Sequence, residues 1–411
     1  MRQLYLSLSA VLALAASACD QNSSGNVRSN KVGDTSHPAT RSSPLTPLRQ
    51  ACNAEGGMLP GASMIARKPY VQQITDRSAT IGWVTSAPGG QTVEVTTPQL
   101  SASASAPAER DNSVDRALTE SQMWSTVTDL EPDTIYCYRV LVNGQPVTQP
   151  IGFRTAPSAD SPRTIGMLVF GDSGGGGTDQ WALRAQMEEV PYELIIHTGD
   201  VAYETGTLDQ YEANVFDIYA DLFRHIPFFP AAGNHDYHTA AAKPFQEVFK
   251  LPENGGAEKY YSYDWGRVHF AALDTEDDYK KQMAWLDQDM AASTAPWKVV
   301  YMHRPPYSSG SHGSDTNLRT LLAPLVKKHG IQLIFAGHDH DYERMKLDVD
   351  GRQYITTGGG GRGTYPVGTS SFTAFSSEVI HYVYVEFGVD EAIIHAIDGT
   401  GVEFDSAVVA R

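Results

Sequence analysis

The second half of the chain repeats one pattern: a short apolar run that closes on a carboxylate, amide or imidazole, nearly always just behind a glycine. Residues 164–170 run into Gly171-Asp172, and 193–198 into Gly199-Asp200. Residues 228–232 reach Gly233-Asn234-His235-Asp236, 297–302 reach His303, and 331–336 reach Gly337-His338-Asp339-His340. Runs of this length, rich in β-branched residues and spaced by helix-like stretches such as 178–190, predict buried strands of an α/β domain. Ligands of open α/β sheets sit at the carboxyl ends of strands. Five strand ends then bring oxygen and imidazole donors to one rim. The glycines before Asp172, Asp200, Asn234 and His338 are expected to let the backbone turn sharply off each strand.

Upstream the period changes. Across 60–157 short runs alternate: Ala79, Ile81 and Trp83 share one face, and a turn follows at Ala87-Pro88-Gly89-Gly90. Leu130, Pro132 and Thr134 precede the alternating Tyr136, Tyr138 and Val140. This resembles the tyrosine corner of immunoglobulin-like sandwiches, and with Trp83 it resembles a fibronectin type III domain. The resemblance puts Tyr136, Tyr138 and Val140 in the core and turns Cys137 outward, where it could bridge to Cys52. The Ser/Ala-rich stretch 101–108 reads as a loop. The region carries no readable chemistry and is expected to be a spacer or binding module.

The N-terminus reads as a targeting segment. A basic Arg2 precedes apolar residues 4–16 and then Ala16-Ser17-Ala18-Cys19, too short a run to span a bilayer. Signal peptidase cleavage after 1–18 and lipidation of Cys19 coincide here, although Ala16 stands where a bacterial lipobox more usually has leucine. The lipoprotein reading is preferred because a cysteine sits at the cut and a polar segment, 19–50, follows as a disordered tether. That implies an exported protein, periplasmic or at the cell surface, touching membrane only through Cys19. In such a compartment the remaining Cys52 and Cys137 are expected to pair. A net charge of −17, from 31 basic and 48 acidic residues, argues against nucleic acid as a partner. It leaves room for an anionic substrate if cations dominate the local field.

Asp172, Asp200, Tyr203, Asn234, His303, His338 and His340 are hard oxygen or imidazole donors with no thiolate among them. That set suits two adjacent first-row metals sharing a carboxylate better than a single zinc. Asp172-Ser173-Gly174, Gly199-Asp200 with Tyr203, Gly233-Asn234-His235-Asp236, Val300 to His303 and Gly337-His338-Asp339-His340 are similar to the five ordered motifs of the purple acid phosphatases. These belong to the calcineurin-like metallophosphoesterases, and the larger ones carry an N-terminal fibronectin-like domain. The resemblance implies an αββα sandwich over 163–411. It further implies a ferric ion on Asp172, Asp200, Tyr203 and His340, and divalent iron, zinc or manganese on bridging Asp200, Asn234, His303 and His338. His235 would protonate the leaving group and His312 would orient the phosphate. Arg344 and glycine-rich 358–363 are candidate pocket-lining elements, while His197, His225, His269, His329 and His381 lack motif context and are expected to be structural.

Two decoys are set aside. Gly171-Asp172-Ser173-Gly174 resembles a serine-protease nucleophile segment, but it follows a buried strand and leaves the other four motifs unexplained. No Gly-Lys-Ser/Thr follows the glycines, so they are not a Walker loop. The resemblance implies an exported dimetal acid phosphatase that hydrolyses small phosphate monoesters through a metal-bound hydroxide. The alternatives are a phosphodiesterase or nucleotide pyrophosphatase on the same centre, and a non-enzymatic adhesion protein. Oligomeric state is not legible.

Overall fold

The alternating run around Trp83 becomes one half of a β-sandwich. In the computed structural model, which describes residues 33–99, 103–112, 120–348 and 351–411, strands Ile65–Gln72, Ala79–Thr85, Ser121–Val127 and Glu109–Arg110 form one sheet in that order. The facing sheet runs Ser103–Pro107, Gln91–Thr96, Ile135–Val142, Gln145–Pro146, with Ile151–Arg154 also paired to Ile135–Val142. Ile81, Trp83, Tyr138, Val140 and Phe153 fill the space between them, all fully buried. Trp83 Nε1–H donates to Gln91 Oε1 at 2.8 Å. The tyrosine corner is present, since the Glu131 backbone N–H donates to the Tyr136 hydroxyl at 2.9 Å. The 101–108 stretch is not a loop throughout. Ser103–Pro107 is an edge strand paired to Gln91–Thr96, and its small side chains hide it because edge pairing needs backbone groups rather than an apolar alternation.

The polar segment departs from expectation in its second part. The predicted targeting segment 1–18, Cys19 and the predicted tether as far as 32 lie outside the described residues, but 33–50 is an ordered strap. Gly33 N–H donates to Phe404 O at 2.6 Å, Ala39 N–H to Glu403 Oε2 at 2.8 Å, and Ser42 N–H to Glu189 O at 3.1 Å. Ala39, Leu45 and Leu48 are buried, and helix Thr46–Cys52 lies on the sandwich, where a Cβ on Gly152 would come within 2.5 Å of Leu48 O. Cys52 and Cys137 form a disulfide. Composition alone reads such a segment as disordered because it has no apolar period. It is ordered by backbone bonds to surfaces far away in sequence.

The 163–411 region is the expected αββα sandwich. One sheet has the order Phe228–Pro230, Leu194–His197, Ile165–Phe170, His381–Phe387, Glu391–Asp398, Glu403–Ala410. The other runs Tyr261–Trp265, Val268–Ala272, Trp297–Tyr301, Leu333–Ala336, Gln353–Thr357, Tyr342–Met345, Thr373–Ser377. The sheets meet face to face, with Phe270 and Trp297 of one against Phe387 of the other. Helices Tyr279–Ala292 and Thr316–His329 cover one outer face through Leu286, Leu318 and Leu322. Helix Asp217–Phe223 lies on the other, where Tyr219 meets Phe170. The five predicted strands are all present but are split, three in the first sheet and two in the second. Within each sheet they run parallel, so their carboxyl ends point one way.

The sandwich is fused to this domain rather than spaced from it. Arg67 forks onto both oxygens of Glu212, at 3.1 and 2.6 Å, and stacks over Phe216. Tyr70 and Tyr138 hydroxyls donate to Val248 O and Arg224 O at 2.7 and 2.9 Å. Gln72 Nε2 donates to Phe228 O, bracing a strand that leads to Asn234.

Candidate metal centre

Each of the five strands ends within four residues of a predicted donor. At the Asp200 end Gly199 takes the expected left-handed turn, with φ of 94°, but at the Asp172 and His338 ends the preceding glycine does not. The donors themselves hold left-handed backbone, with φ of 58° at Asp172, 54° at Asp200 and 71° at His338. The preceding glycines make room. A Cβ on Gly337 would lie 2.5 Å from Asp172 Oδ2, and one on Gly233 2.2 Å from Asp200 Oδ1. On Gly199, which also has positive φ, it would meet the His303 ring at 2.6 Å. Non-glycine residues held at positive φ mark strain that surrounding structure must enforce, and such strain clusters at functional sites.

The seven predicted donors come together in two overlapping groups. The Tyr203 hydroxyl lies 3.1 Å from each of Asp172 Oδ1, Asp200 Oδ2 and His340 Nε2. His303 Nε2 lies 3.0 Å from Asn234 Oδ1, 3.1 Å from His338 Nδ1 and 3.4 Å from Asp200 Oδ2. Asp200 Oδ2 thus belongs to both groups. The other oxygens of the two aspartates take backbone N–H groups, from His338 to Asp172 Oδ2 at 2.9 Å and from His235 to Asp200 Oδ1 at 2.8 Å. His303 Nδ1–H donates to Thr198 O at 3.0 Å, so its Nε2 faces inward.

This arrangement fits cations and fits little else. One phenolic hydrogen cannot serve three acceptors, and two imidazole nitrogens face each other across 3.1 Å. Buried donors that converge with too few hydrogens need a positive charge between them. The ionisations agree. Burial works against charge on His303, but Asp200 and Asp172 outweigh it and raise its pKa to about 10. Burial, then the neighbouring His303 and His312, depress His338 to about 2. Burial and the two aspartates push the Tyr203 phenol far up. The field that holds a proton on His303 would equally hold a metal ion, and the ion's own charge would reverse the bias against a phenolate.

Two histidines flank the cluster. The His235 ring lies 4.4 Å from Tyr203, and its Nδ1–H donates to Glu204 O at 2.7 Å, leaving Nε2 3.9 Å from Asp200 Oδ2. The His312 ring lies 4.1 Å from His338 on the other side. His197 is structural, as expected. It accepts Gly199 N–H and donates to Ser173 Oγ, tying two donor loops together, and burial lowers its pKa to about 3. His225 and His381 are likewise buried, while His269 and His329 are bonded to aspartates. Arg344 does not line the site. It is bound at 2.7 and 2.9 Å to Asp405, because strand Tyr342–Met345 turns it toward the C-terminal hairpin. The 358–363 glycines do lie against the site, with Gly360 N–H on Gly171 O and Arg362 N–H on Asp172 O.

Several residues escaped the sequence reading. Asp236 accepts Val201, Ala202 and Gly233 N–H and the Tyr211 hydroxyl, so one buried carboxylate fastens the Asp200 loop to the Asn234 turn. Its place in the Gly233–Asp236 motif was the available signal. Tyr365 stacks on His340 at 4.1 Å, Arg362 covers the Tyr203 ring and pairs with Glu204, and Arg304 is clamped by Glu276 with Nη1 3.3 Å from His338 Nε2. Arg362 sits in the glycine-rich 358–363 run already singled out, whereas nothing in their local sequence distinguishes Tyr365 and Arg304 from surface residues.

Residues 167–342 match the calcineurin-like phosphoesterase family, and 68–155 match the purple acid phosphatase N-terminal domain. Among curated relatives, Arabidopsis thaliana purple acid phosphatase 23 is 31% identical over 285 residues, 57% of this chain and 61% of that protein. Probable purple acid phosphatase 20 of the same plant is 28% identical over 56% of this chain and 58% of its own length. The chain thus spans about three fifths of the length of these relatives. Purple acid phosphatase PPD1 from yellow lupin (Lupinus luteus) seeds shares the fold, with a TM-score of 0.74 at 19% identity over 84% of this chain and 75% of that one.

Proposed function

We propose that this chain, which joins a calcineurin-like phosphoesterase domain to a purple acid phosphatase N-terminal domain, is an exported acid phosphatase acting on phosphate monoesters. The observation that carries this reading is the pair of donor groups sharing Asp200 Oδ2, with a histidine on each flank. Asp172, Asp200, Tyr203 and His340 would hold a ferric ion, for which a phenolate is a well-matched hard donor. Asp200, Asn234, His303 and His338 would hold divalent iron, zinc or manganese. When bound, the pair supplies positive charge for the phosphoryl oxygens and makes a water acidic enough to attack at low pH.

The chain's own residues do the rest. His235 keeps Nδ1–H on Glu204 O, so Nε2 is the atom that carries a proton and passes it to the leaving alkoxide. His312, across the cluster, binds a phosphoryl oxygen. Asp200 and Asp172 hold their donor oxygens in place through the backbone N–H groups on their other oxygens. The Cys52–Cys137 disulfide supports an oxidising compartment, with lipidation of Cys19 as the route to a membrane.

Metal analysis of the purified protein with a panel of mono- and diesters tests the reading. Iron, a visible tyrosinate charge-transfer band lost in Tyr203→Phe, and monoester preference are expected. Two zincs with diester preference would replace it by a phosphodiesterase, and bound metals without hydrolysis would leave a binding protein.

A further inference from the structure

The carboxylate between the two histidines of the Gly337–His340 motif turns away from the donor cluster. Asp339 is wholly buried, and the four hydrogen bonds that its carboxylate accepts all come from one loop. Its Oδ1 accepts the His312 backbone N–H at 2.7 Å and the His312 Nδ1–H at 3.1 Å. Its Oδ2 accepts the Ser308 hydroxyl at 2.5 Å and Gly313 N–H at 3.1 Å. Gly310 is kept small by the same carboxylate, since a Cβ there would lie 2.6 Å from Asp339 Cγ. His312 itself is exposed, its side chain 42% accessible, on a loop of serines and glycines. Such a side chain would normally lose rotamer freedom when it engages a ligand. Here a buried charge has already fixed it.

We propose that Asp339 is the positioning residue for His312, holding Nδ1–H so that Nε2 is presented to the phosphate bound at the donor cluster. This rests on the phosphatase reading above. No described residue bonds His312 Nε2, so that nitrogen is left for a ligand. The ring packs at 34° against His338, which sets its height over the cluster. The carboxylate therefore acts on substrate only through the imidazole.

A double-mutant cycle tests this in the metal-loaded full chain. Asp339→Asn and His312→Ala are each expected to raise KM and the inhibition constant of inorganic phosphate by roughly tenfold, with a smaller change in kcat. In the His312→Ala background, Asp339→Asn is expected to do nothing further. An equal loss with or without His312 overturns the assignment, as does loss of metal from Asp339→Asn alone, which would make Asp339 a support for His338 and His340. A second measurement needs no substitution at Asp339. Imidazole ¹⁵N spectra of zinc-loaded protein are expected to show His312 as the Nδ1–H tautomer, its signal identified by its absence in His312→Ala. The Nε2–H tautomer in a fully active protein would sink this proposal alone, whereas absence of both phosphate binding and ester hydrolysis in the wild type would sink the phosphatase reading.

Discussion

The rim of the αββα domain and the interior of the N-terminal sandwich are both buried, yet they are built on opposite terms. In the sandwich, the buried polar groups are uncharged apart from Arg67, which is paired with Glu212. Gln122 accepts from Arg67 at 3.0 Å and donates to Trp83 O and Met123 O at 3.3 and 3.2 Å. Around the rim, Asp172, Asp200, Asp236, Asp339 and Asp341 are all buried together. Among the described residues neither side-chain oxygen of Asp341 has a hydrogen-bond partner, and burial, then Asp339 and Glu343, push its pKa far above the usual carboxylate range. Burial and Asp200 raise Asp236 to about 6. Three donors there hold left-handed backbone. A domain tolerates such crowding only where the rest of the structure over-determines it, and the fused sandwich contributes by bracing the strand that leads to Asn234.

The comparison breaks first at Asp200. Asp200→Ala is expected to abolish activity and strip both metals, because one oxygen serves both donor groups, whereas Asn234→Ala should spare the first metal and lose the second. Metal analysis of the two variants checks this, and equal loss of both metals in both would refute the split. Next in size, His235→Ala is expected to keep its metals and lose roughly 10²–10⁴-fold in kcat, as for removal of a general acid. The loss should shrink for nitrophenyl esters, whose leaving groups need little protonation. A uniform loss across leaving groups would make His235 a phosphate-binding residue instead.

A core change in the sandwich should behave in the opposite way. Trp83→Ala is expected to cost about 3–5 kcal/mol of stability, read by denaturant titration, with turnover per folded molecule unchanged. A fall in turnover per folded molecule would show that the two regions are coupled beyond bracing. The smallest effect concerns a charged pair away from the rim. His269 sits between Asp264 and Asp289 at 2.7 and 2.8 Å; burial opposes its charge, but the two carboxylates raise its pKa to about 9. Its folded pKa lies above the ordinary value, so its contribution is complete below about pH 6.5 and is lost as pH rises through about 9. That contribution is at most about 3 kcal/mol. Melting temperatures measured at both ends of this window should differ less in His269→Gln than in the wild type; an unchanged difference would remove His269 from the pH response.

Much of the fold was legible because it is written in local terms. An apolar run ended by glycine and a donor names both a buried strand and the side chain at its tip, and all five such tips are found at the rim. The alternation at Ala79, Ile81 and Trp83 and the tyrosine corner likewise depend only on the period of a strand. Ser103–Pro107 was missed because an edge strand of small residues leaves no period to read. The strap over 33–50 was missed for the same reason. Arg344 was misplaced because its motif position says which strand carries it but not which way that strand faces.

What the sequence determined by itself, then, is the list of donors and the elements that end on them, since burial and chain sterics act over a few residues. Only the tertiary structure decided that the five strands divide between two sheets and that Asp200 Oδ2 is the shared atom. It also decided that Asp339 faces His312 and not the donor cluster. These are choices of partner across long stretches of chain: 103 residues separate Asp200 from His303 and 27 separate His312 from Asp339. Such contacts are set by how two packed sheets and their loops approach one another, and no local pattern records that approach.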